Sequence, residues 1–188
     1  MLEWKARLLT LGVFCCASIS SVQATENLYA VISAGYADSE FAQYSGGSVA
    51  YKLAMGHEFH PQWYVEGGYQ RLASDEADAG DLLIGLEGDA LFISVLGKAS
   101  SREGELFYRL GAMRADLTGY RLESSTCDNV PCTIESAYDD GIIAGAVGIG
   151  FDWYVGLNTM VRFEVEHISG EDSFQSNAAY IGFRYNFN

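Results

Sequence analysis

The sequence predicts an all-β protein, a transmembrane eight-stranded antiparallel up-and-down β-barrel, and three observations carry that prediction. Apolar and polar residues alternate with a period of two along several segments, which is typical of β-strands with two unlike faces. The connections between these segments are alternately short and long, as in a meander. Glycine is abundant, with 21 residues, whereas proline, which cannot donate to a strand ladder, occurs only 2 times.

Residues 1–24 are expected to be a signal peptide that is cleaved, and not part of the fold. Lys5 and Arg7 precede an apolar run over 8–17 and a small-residue exit, the order of a secretory leader. That run is too short to cross a bilayer as a helix. The remaining chain, 25–188, suits one domain. Without the leader its formal net charge moves from −14 to −15, and so acidic a chain is not expected to bind nucleic acid.

Two of the four cysteines, Cys127 and Cys132, lie beyond the leader, in a polar segment with Pro131 between them. In an oxidising compartment this spacing favours a disulfide that closes a short loop. The alternative is a metal site, but two sulfurs without a nearby histidine are half of a zinc site. The sequence therefore predicts a disulfide, and it predicts no metal site and no cofactor.

Eight alternating segments account for the barrel. In the last of them, Ala179, Ile181 and Phe183 share one face while Tyr180, Gly182 and Arg184 share the other. The fourth segment is apolar on both faces, which leaves its orientation open. The predicted segments are 28–37, 48–59, 63–72, 90–98, 106–122, 141–153, 159–167 and 177–187.

The sheet is expected to close on itself, because it lies in lipid. An open sheet in lipid would leave backbone donors and acceptors unpaired, at a cost of roughly several kcal/mol each. Eight strands close into a barrel whose interior is filled by side chains. Tight turns are predicted near residues 61, 103 and 156, and longer loops near 43, 82, 132 and 172. Aromatic residues at strand ends predict an interfacial girdle of Trp63, Trp153, Tyr154, Tyr185 and Phe187.

Three motifs carry a resemblance to a known family: Y-A-V-I-S-A-G-Y at 29–36, W-Y-V-E-G-G-Y at 63–69 and Y-I-G-F-R-Y-N-F at 180–187. The chain resembles the small bacterial outer-membrane β-barrels of the OmpA transmembrane-domain and OmpX/Ail type. The resemblance implies integration into the outer membrane of a Gram-negative cell and a closing strand that the barrel-assembly machinery reads. Chains of that family usually end on Phe, whereas here Asn188 follows Phe187. The same barrel serves as anchor, adhesin, evasion factor or enzyme, so the resemblance specifies architecture more than activity.

Charged residues at inward positions predict an ion-pair network that plugs the lumen, because unpaired buried charges would be very costly. Paired carboxylates can also indicate acid–base catalysis, but a plugged lumen would admit no substrate. The inward charges are Lys52, Glu58, Glu66, Arg109, Arg162, Glu164, Glu166 and Arg184.

The four longer connections, taken as 38–47, 74–89, 123–141 and 169–176, contain fifteen acidic residues and no Lys or Arg. One interpretation is a solvated surface with a repulsive charge. The other is that divalent cations, which prefer oxygen ligands, bridge the carboxylates to anionic lipopolysaccharide or to a host surface.

His167-Ile168-Ser169 is the sharpest enzymatic candidate, with His167 predicted on the lipid-facing side. It resembles the His-x-Ser of the outer-membrane lipid A 3-O-deacylases, in which His activates Ser beside an acyl chain and a carboxylate orients the His. Gly170 stands where that family usually has Asn, and the return strand offers Asn177 rather than Glu. The sequence therefore favours a non-enzymatic outer-membrane barrel with a role in envelope integrity, adhesion or host interaction. A lipid A deacylase is the alternative.

Overall fold

A computed structural model describes the backbone of residues 27–41, 44–79, 82–127 and 130–187. Within these ranges the side chains of 41, 44–45, 73–79, 82–86, 119–127, 130–140 and 172 are outside the description. The predicted signal peptide lies before the first described residue.

Eight antiparallel strands follow one another along the chain and form a closed barrel, because the last strand pairs with the first. Each strand also pairs with its sequence neighbours, so the predicted up-and-down topology is confirmed. The strands are β1 Leu28–Phe41, β2 Tyr44–His60, β3 Trp63–Ala79, β4 Leu82–Ser100, β5 Gly104–Cys127, β6 Val130–Tyr154, β7 Thr159–Gly170 and β8 Gln175–Asn186. A 3₁₀ turn, Glu171–Ser173, joins the last two.

The two faces of the sheet divide as the alternation predicts. Large apolar side chains such as Ile32, Leu53 and Phe183 lie exposed on the outside, while their strand neighbours are buried inside. The fourth strand, whose orientation the sequence leaves open, turns Leu91 outward and Lys98 inward. A continuous exposed apolar exterior on a closed barrel is the surface that a bilayer covers. No helix in the described ranges is long and apolar enough to cross a membrane.

The prediction of long loops is wrong at three of the four places. There the strands continue almost to the ends of the hairpins. Only two residues separate β1 from β2, β3 from β4 and β5 from β6. In these extensions the alternation of apolar and polar residues is lost from the sequence, while the backbone pairing continues. We call the end of the barrel that carries these connections the hairpin rim. The opposite end, with the tight connections 61–62, 101–103 and 155–158, is the turn rim.

Aromatic side chains form two bands on the outside. At the turn rim Trp63 stacks edge-on against Tyr108 with ring centroids 6.0 Å apart, and Tyr185 against Phe187 at 5.5 Å. Tyr154 was predicted here, but its hydroxyl instead donates to Glu105 at the lumen mouth, 3.3 Å away. Toward the hairpin rim the exterior aromatic residues are Tyr36, Tyr51 and Tyr69.

The lumen is filled in two layers. The half nearer the turn rim holds charged side chains, whereas the half nearer the hairpin rim is mainly apolar and contains the hydrogen-bonded hydroxyls of Ser39 and Ser176. The apolar layer is built from side chains that are at most 1% exposed: Leu72, Leu117, Ile142, Ile168 and Phe174. Both layers of the described lumen are therefore filled by side chains.

Candidate functional sites

The charged layer contains ten side chains, five cations and five anions, so its formal charge is zero. All ten residues are at most 8% exposed. The sequence analysis named seven of these ten residues as members of an ion-pair network, and the structure brings all seven together. The ten residues, which we call the lumen network, are Lys52, Lys98, Arg109, Arg162, Arg184, Glu66, Glu105, Asp152, Glu164 and Glu166.

The part of the lumen network nearest the apolar layer centres on Lys52. Its Nζ donates to Glu166 Oε2 at 2.6 Å and to Glu164 Oε1 at 3.0 Å. Arg109 Nε lies 2.8 Å from the same Oε1 of Glu164, and its Nη2 donates to Glu66. The carboxylate of Glu164 therefore links two cations, and Arg109 carries the network on to Glu66.

The part nearest the turn rim centres on Asp152. Arg162 reaches it from β7 through two hydrogen bonds, Nε to Oδ1 at 2.7 Å and Nη2 to Oδ2 at 2.9 Å, and also donates to Glu66 at 2.7 Å. Arg184 Nη1 and Lys98 Nζ both bond Asp152 Oδ2, at 3.0 and 3.3 Å. The same two cations also bond Glu105, at 2.7 and 3.0 Å. The ion pairs thus form one connected chain from Glu166 to Glu105.

Aromatic rings separate the charges and take part in holding them. The guanidinium of Arg184 lies 3.9 Å from the ring centroid of Tyr29, and Lys98 Nζ lies 4.1 Å from that of Tyr64. The Tyr29 hydroxyl donates to Glu66 Oε1 at 2.8 Å. A Cβ added at Gly56 would lie 2.2 Å from Tyr29 Cζ, so only glycine leaves room there for the ring. Cation–π contacts of this kind are worth up to about 2 kcal/mol when desolvated.

Three members of the lumen network were missed by the sequence analysis. Glu105 and Asp152 have the inward parity of their strands but lie at strand ends, beside the turns. Lys98 belongs to the strand whose orientation the alternation does not settle. Glu58, expected with the inward charges, is only partly buried at the turn-rim mouth, and no ion pair among the described residues includes it.

The geometry indicates what the lumen network does chemically. A buried ion pair contributes little net stability over apolar packing, but removing one partner leaves an uncompensated buried charge. Every carboxylate of the network bonds at least one cation, so none is placed as a free general base. The network therefore links seven strands, β2 to β8, across the barrel and fills the charged half of the lumen.

The histidine–serine pair lies on the opposite face of the wall, toward the hairpin rim. His167 and Ser169 are both exposed on the outside of β7. The Nδ1 of His167 lies 2.8 Å from the Oδ1 of Asn177, its cross-strand partner on β8. With the Asn177 amide oriented so that its oxygen faces the ring, Nδ1 donates the hydrogen bond, because an amide oxygen only accepts. No hydrogen bond joins His167 to Ser169 among the described contacts.

Asn177 is therefore the residue that orients the histidine, and no carboxylate takes that role. Successive outward residues of one strand stand about 6.6 Å apart along it, so His167 and Ser169 are neighbours on the outer face of β7. An apolar groove lined by Tyr36, Val147, Ile149 and Val165 runs below the pair.

Two predicted sites are not tested by this structure. Cys127 and Cys132 fall where side chains are outside the description, so their disulfide stays a prediction. In the part of the chain that is described, no group of three or more His, Cys, Asp or Glu side chains is arranged to hold a metal ion.

No protein-family model and no curated protein matches the chain. Several solved structures match the chain. Neisserial surface protein A is 13% identical, with a TM-score of 0.62, and the match covers 85% of this chain and 96% of that chain. Ail, the attachment invasion locus protein of Yersinia pestis, is 18% identical, with a TM-score of 0.53 and coverages of 86% and 99%. The N-terminal β-barrel domain of Pseudomonas aeruginosa OprF is 12% identical, with a TM-score of 0.51 and coverages of 85% and 98%.

Sequence identities this low are evidence for the fold alone. The matches extend over nearly the whole length of each of these solved structures. Together with the closed meander, the apolar exterior and the filled lumen, they show that the chain has the fold of the small eight-stranded transmembrane β-barrels.

Proposed function

We propose that the protein is an integral outer-membrane barrel without enzymatic activity, which anchors acidic hairpins at the cell surface. The observation that carries the proposal is the filled lumen. The lumen network and the apolar layer occupy the described interior between the hairpin rim and a polar pocket of about 260 Å³ at the turn-rim mouth, so the barrel serves as a rigid support for the hairpin rim. In barrels of this kind the short turns face the periplasm and the longer connections, which here are hairpins of extended strands, face outward.

The proposed role is envelope integrity, attachment or interaction with a host surface. The similar structures include a surface protein and an attachment invasion locus protein, which supports a surface role. Residues 38–47, 74–89, 123–141 and 169–176, on the hairpin-rim side, carry fifteen acidic residues without a Lys or Arg, although Arg121 lies nearby on β5. Divalent cations that bridge these carboxylates to anionic lipopolysaccharide, or to an anionic partner, would give such a surface its binding capacity.

The test is to neutralise the acids of one hairpin and measure attachment. Cells that lack the gene are complemented with the wild type, with Glu123→Gln/Glu135→Gln/Asp139→Asn/Asp140→Asn, or with the turn-rim control Glu103→Gln. The hairpin variant should reduce attachment, or the Mg²⁺ dependence of envelope integrity, at an unchanged outer-membrane level. Unaltered attachment and Mg²⁺ dependence in the hairpin variant would contradict the proposal, as would recovery of the wild type as a soluble periplasmic protein.

A second candidate, a hydrolase acting on outer-leaflet lipid, is favoured by one observation, the His167–Asn177 hydrogen bond. An oriented histidine beside Ser169 and above an apolar groove has the parts of a serine nucleophile site. The test is the mass of lipid A from cells that express the protein. We expect no loss of an acyl chain, because Ser169 is not bonded to His167. A loss that Ser169→Ala abolishes, while the barrel still assembles, would establish the hydrolase instead.

A further inference from the structure

An arginine lies on the outer wall of the barrel where the apolar band ends. Arg71 belongs to β3, eight residues beyond Trp63, and pairs with Tyr51 on β2 and Asp89 on β4. At about 3.3 Å per residue and a tilt of about 40°, eight residues rise roughly 20 Å through the bilayer, close to the height of the apolar band of such barrels. Arg71 is therefore at the membrane interface on the hairpin-rim side.

The side chain of Arg71 is held in place rather than extended into solvent. Its Nε donates to Asp89 Oδ1 at 3.1 Å, and the hydroxyl of Tyr69 donates to the same oxygen at 2.6 Å. The guanidinium lies 5.9 Å from the ring centroid of Tyr51, which in turn lies 6.2 Å from that of Tyr69. Only 25% of the Arg71 side chain is exposed.

This arrangement leaves the two terminal nitrogens of Arg71 without a hydrogen-bond partner among the described residues. Asp89 engages Nε alone, so the planar fork of the guanidinium remains available for a bidentate contact. Arg114 supplies a second cation on β5, where it pairs with Leu91 of β4. Its Nε lies 3.8 Å from Asp116, too far for a hydrogen bond, and its side chain is 76% exposed.

These are the two outward-facing Lys or Arg side chains that the described part of the wall carries on this side of the bilayer. They lie on strands that flank β4, about 10 Å apart across the sheet. In a chain with a net charge of −14, two outward-facing cations at the membrane interface mark where an anionic lipid head meets the wall.

We propose that Arg71, oriented by Asp89 and Tyr69 and assisted by Arg114, binds the phosphate of an outer-leaflet lipid whose acyl chains lie on the apolar wall below. The proposal rests on the outer-membrane placement proposed above. A phosphate oxygen pair matches the free fork of Arg71, and desolvation at the interface strengthens the contact. Tyr51 and Tyr69 provide the amphipathic rim that such a headgroup contacts.

The test uses the purified barrel in a neutral detergent and follows the temperature at which the folded gel form is lost. Bisphosphorylated lipid A, the same lipid with both phosphates removed, and inorganic phosphate are added in turn, each with Mg²⁺ and with EDTA. The wild type should be stabilised by the phosphorylated lipid in EDTA, and much less by the other two. Arg71→Gln should weaken the apparent affinity about tenfold or more, and Arg114→Gln should weaken it less.

Arg102→Gln is the matched control, because Arg102 is an exposed arginine in a tight connection of the turn rim. It should bind the phosphorylated lipid like the wild type. Equal stabilisation by the dephosphorylated lipid, or by inorganic phosphate alone, would overturn the proposal. So would binding that requires Mg²⁺ and survives Arg71→Gln, since that result assigns the contact to bridged carboxylates. The assay uses purified protein, so it is independent of the cell-surface tests of the proposed function.

Discussion

Arg162 and Asp152 face each other across β7 and β6 and share two nearly parallel hydrogen bonds, at 2.7 and 2.9 Å, with both side chains fully buried. A bidentate pair fixes the direction of both side chains as well as their charge state. Arg162 also bonds Glu66, and Asp152 also bonds Arg184 and Lys98, so the pair connects the two halves of the lumen network. The predictions below follow from this connectivity.

Removing the charge of Asp152 should destabilise the barrel strongly. Asp152→Asn leaves three cations around a neutral amide, and breaking one member of a buried ionic cluster costs about 3–5 kcal/mol. The measurement is the urea midpoint for unfolding from lipid vesicles. Asp116→Asn, which removes an exposed carboxylate on the outer wall, is the control and should shift the midpoint little. Equal midpoints for the two variants would contradict the network.

Loss of Lys98 and Glu105 together should cost less than the sum of the two single changes. Each single variant leaves the lumen network with one uncompensated buried charge, whereas Lys98→Met with Glu105→Gln keeps the network neutral. Coupling between residues in contact is typically about 0.5–3 kcal/mol. A double-mutant cycle of unfolding free energies measures it. Lys98→Met combined with Arg114→Gln should be additive, and additivity in both cycles would show that the lumen charges do not interact.

Gly56 and Gly67 should respond differently to the same added methyl group. At Gly56 a Cβ would lie 2.2 Å from the Tyr29 ring, so Gly56→Ala displaces Tyr29 from Glu66 and should cost about 1–3 kcal/mol. At Gly67 the nearest atom is the Phe92 carbonyl oxygen at 3.7 Å, so Gly67→Ala should be neutral or slightly stabilising. The same unfolding assay compares the two variants, and equal losses would refute the assigned position of Tyr29.

Cys127 and Cys132 are predicted to be bridged near the tip of the β5–β6 hairpin. Closing so short a loop should stabilise the tip by up to about 3 kcal/mol without supporting the barrel itself. Mass spectrometry of protein isolated from membranes under non-reducing conditions should find both thiols absent. Both thiols free, in protein that was alkylated before extraction, would show that the bridge does not form.

Most of the wall could be predicted from the sequence, because one face meets lipid and the other meets packed side chains. Ile32, Leu53 and Phe183 lie on the outer face, and a shift of the strand register by one residue would turn them into the lumen. The hairpin extensions could not be predicted, since the alternation of apolar and polar residues is lost from their sequence. Lys98 was missed for a related reason: its strand is apolar on both faces. Asn177 as the partner of His167 depends on the register of two strands, which the sequence alone does not fix.

The most direct test of the central claim is the accessibility of the two rims in intact cells. A protease site is inserted between residues 128 and 129, at the tip of the β5–β6 hairpin, or between 156 and 157, in a turn-rim connection. Protease added outside should cut the first variant in intact cells, and the second only after the outer membrane is permeabilised. Cleavage of the turn-rim site in intact cells, or protection of both sites until the periplasm is opened, would contradict a barrel that displays its hairpin rim at the cell surface.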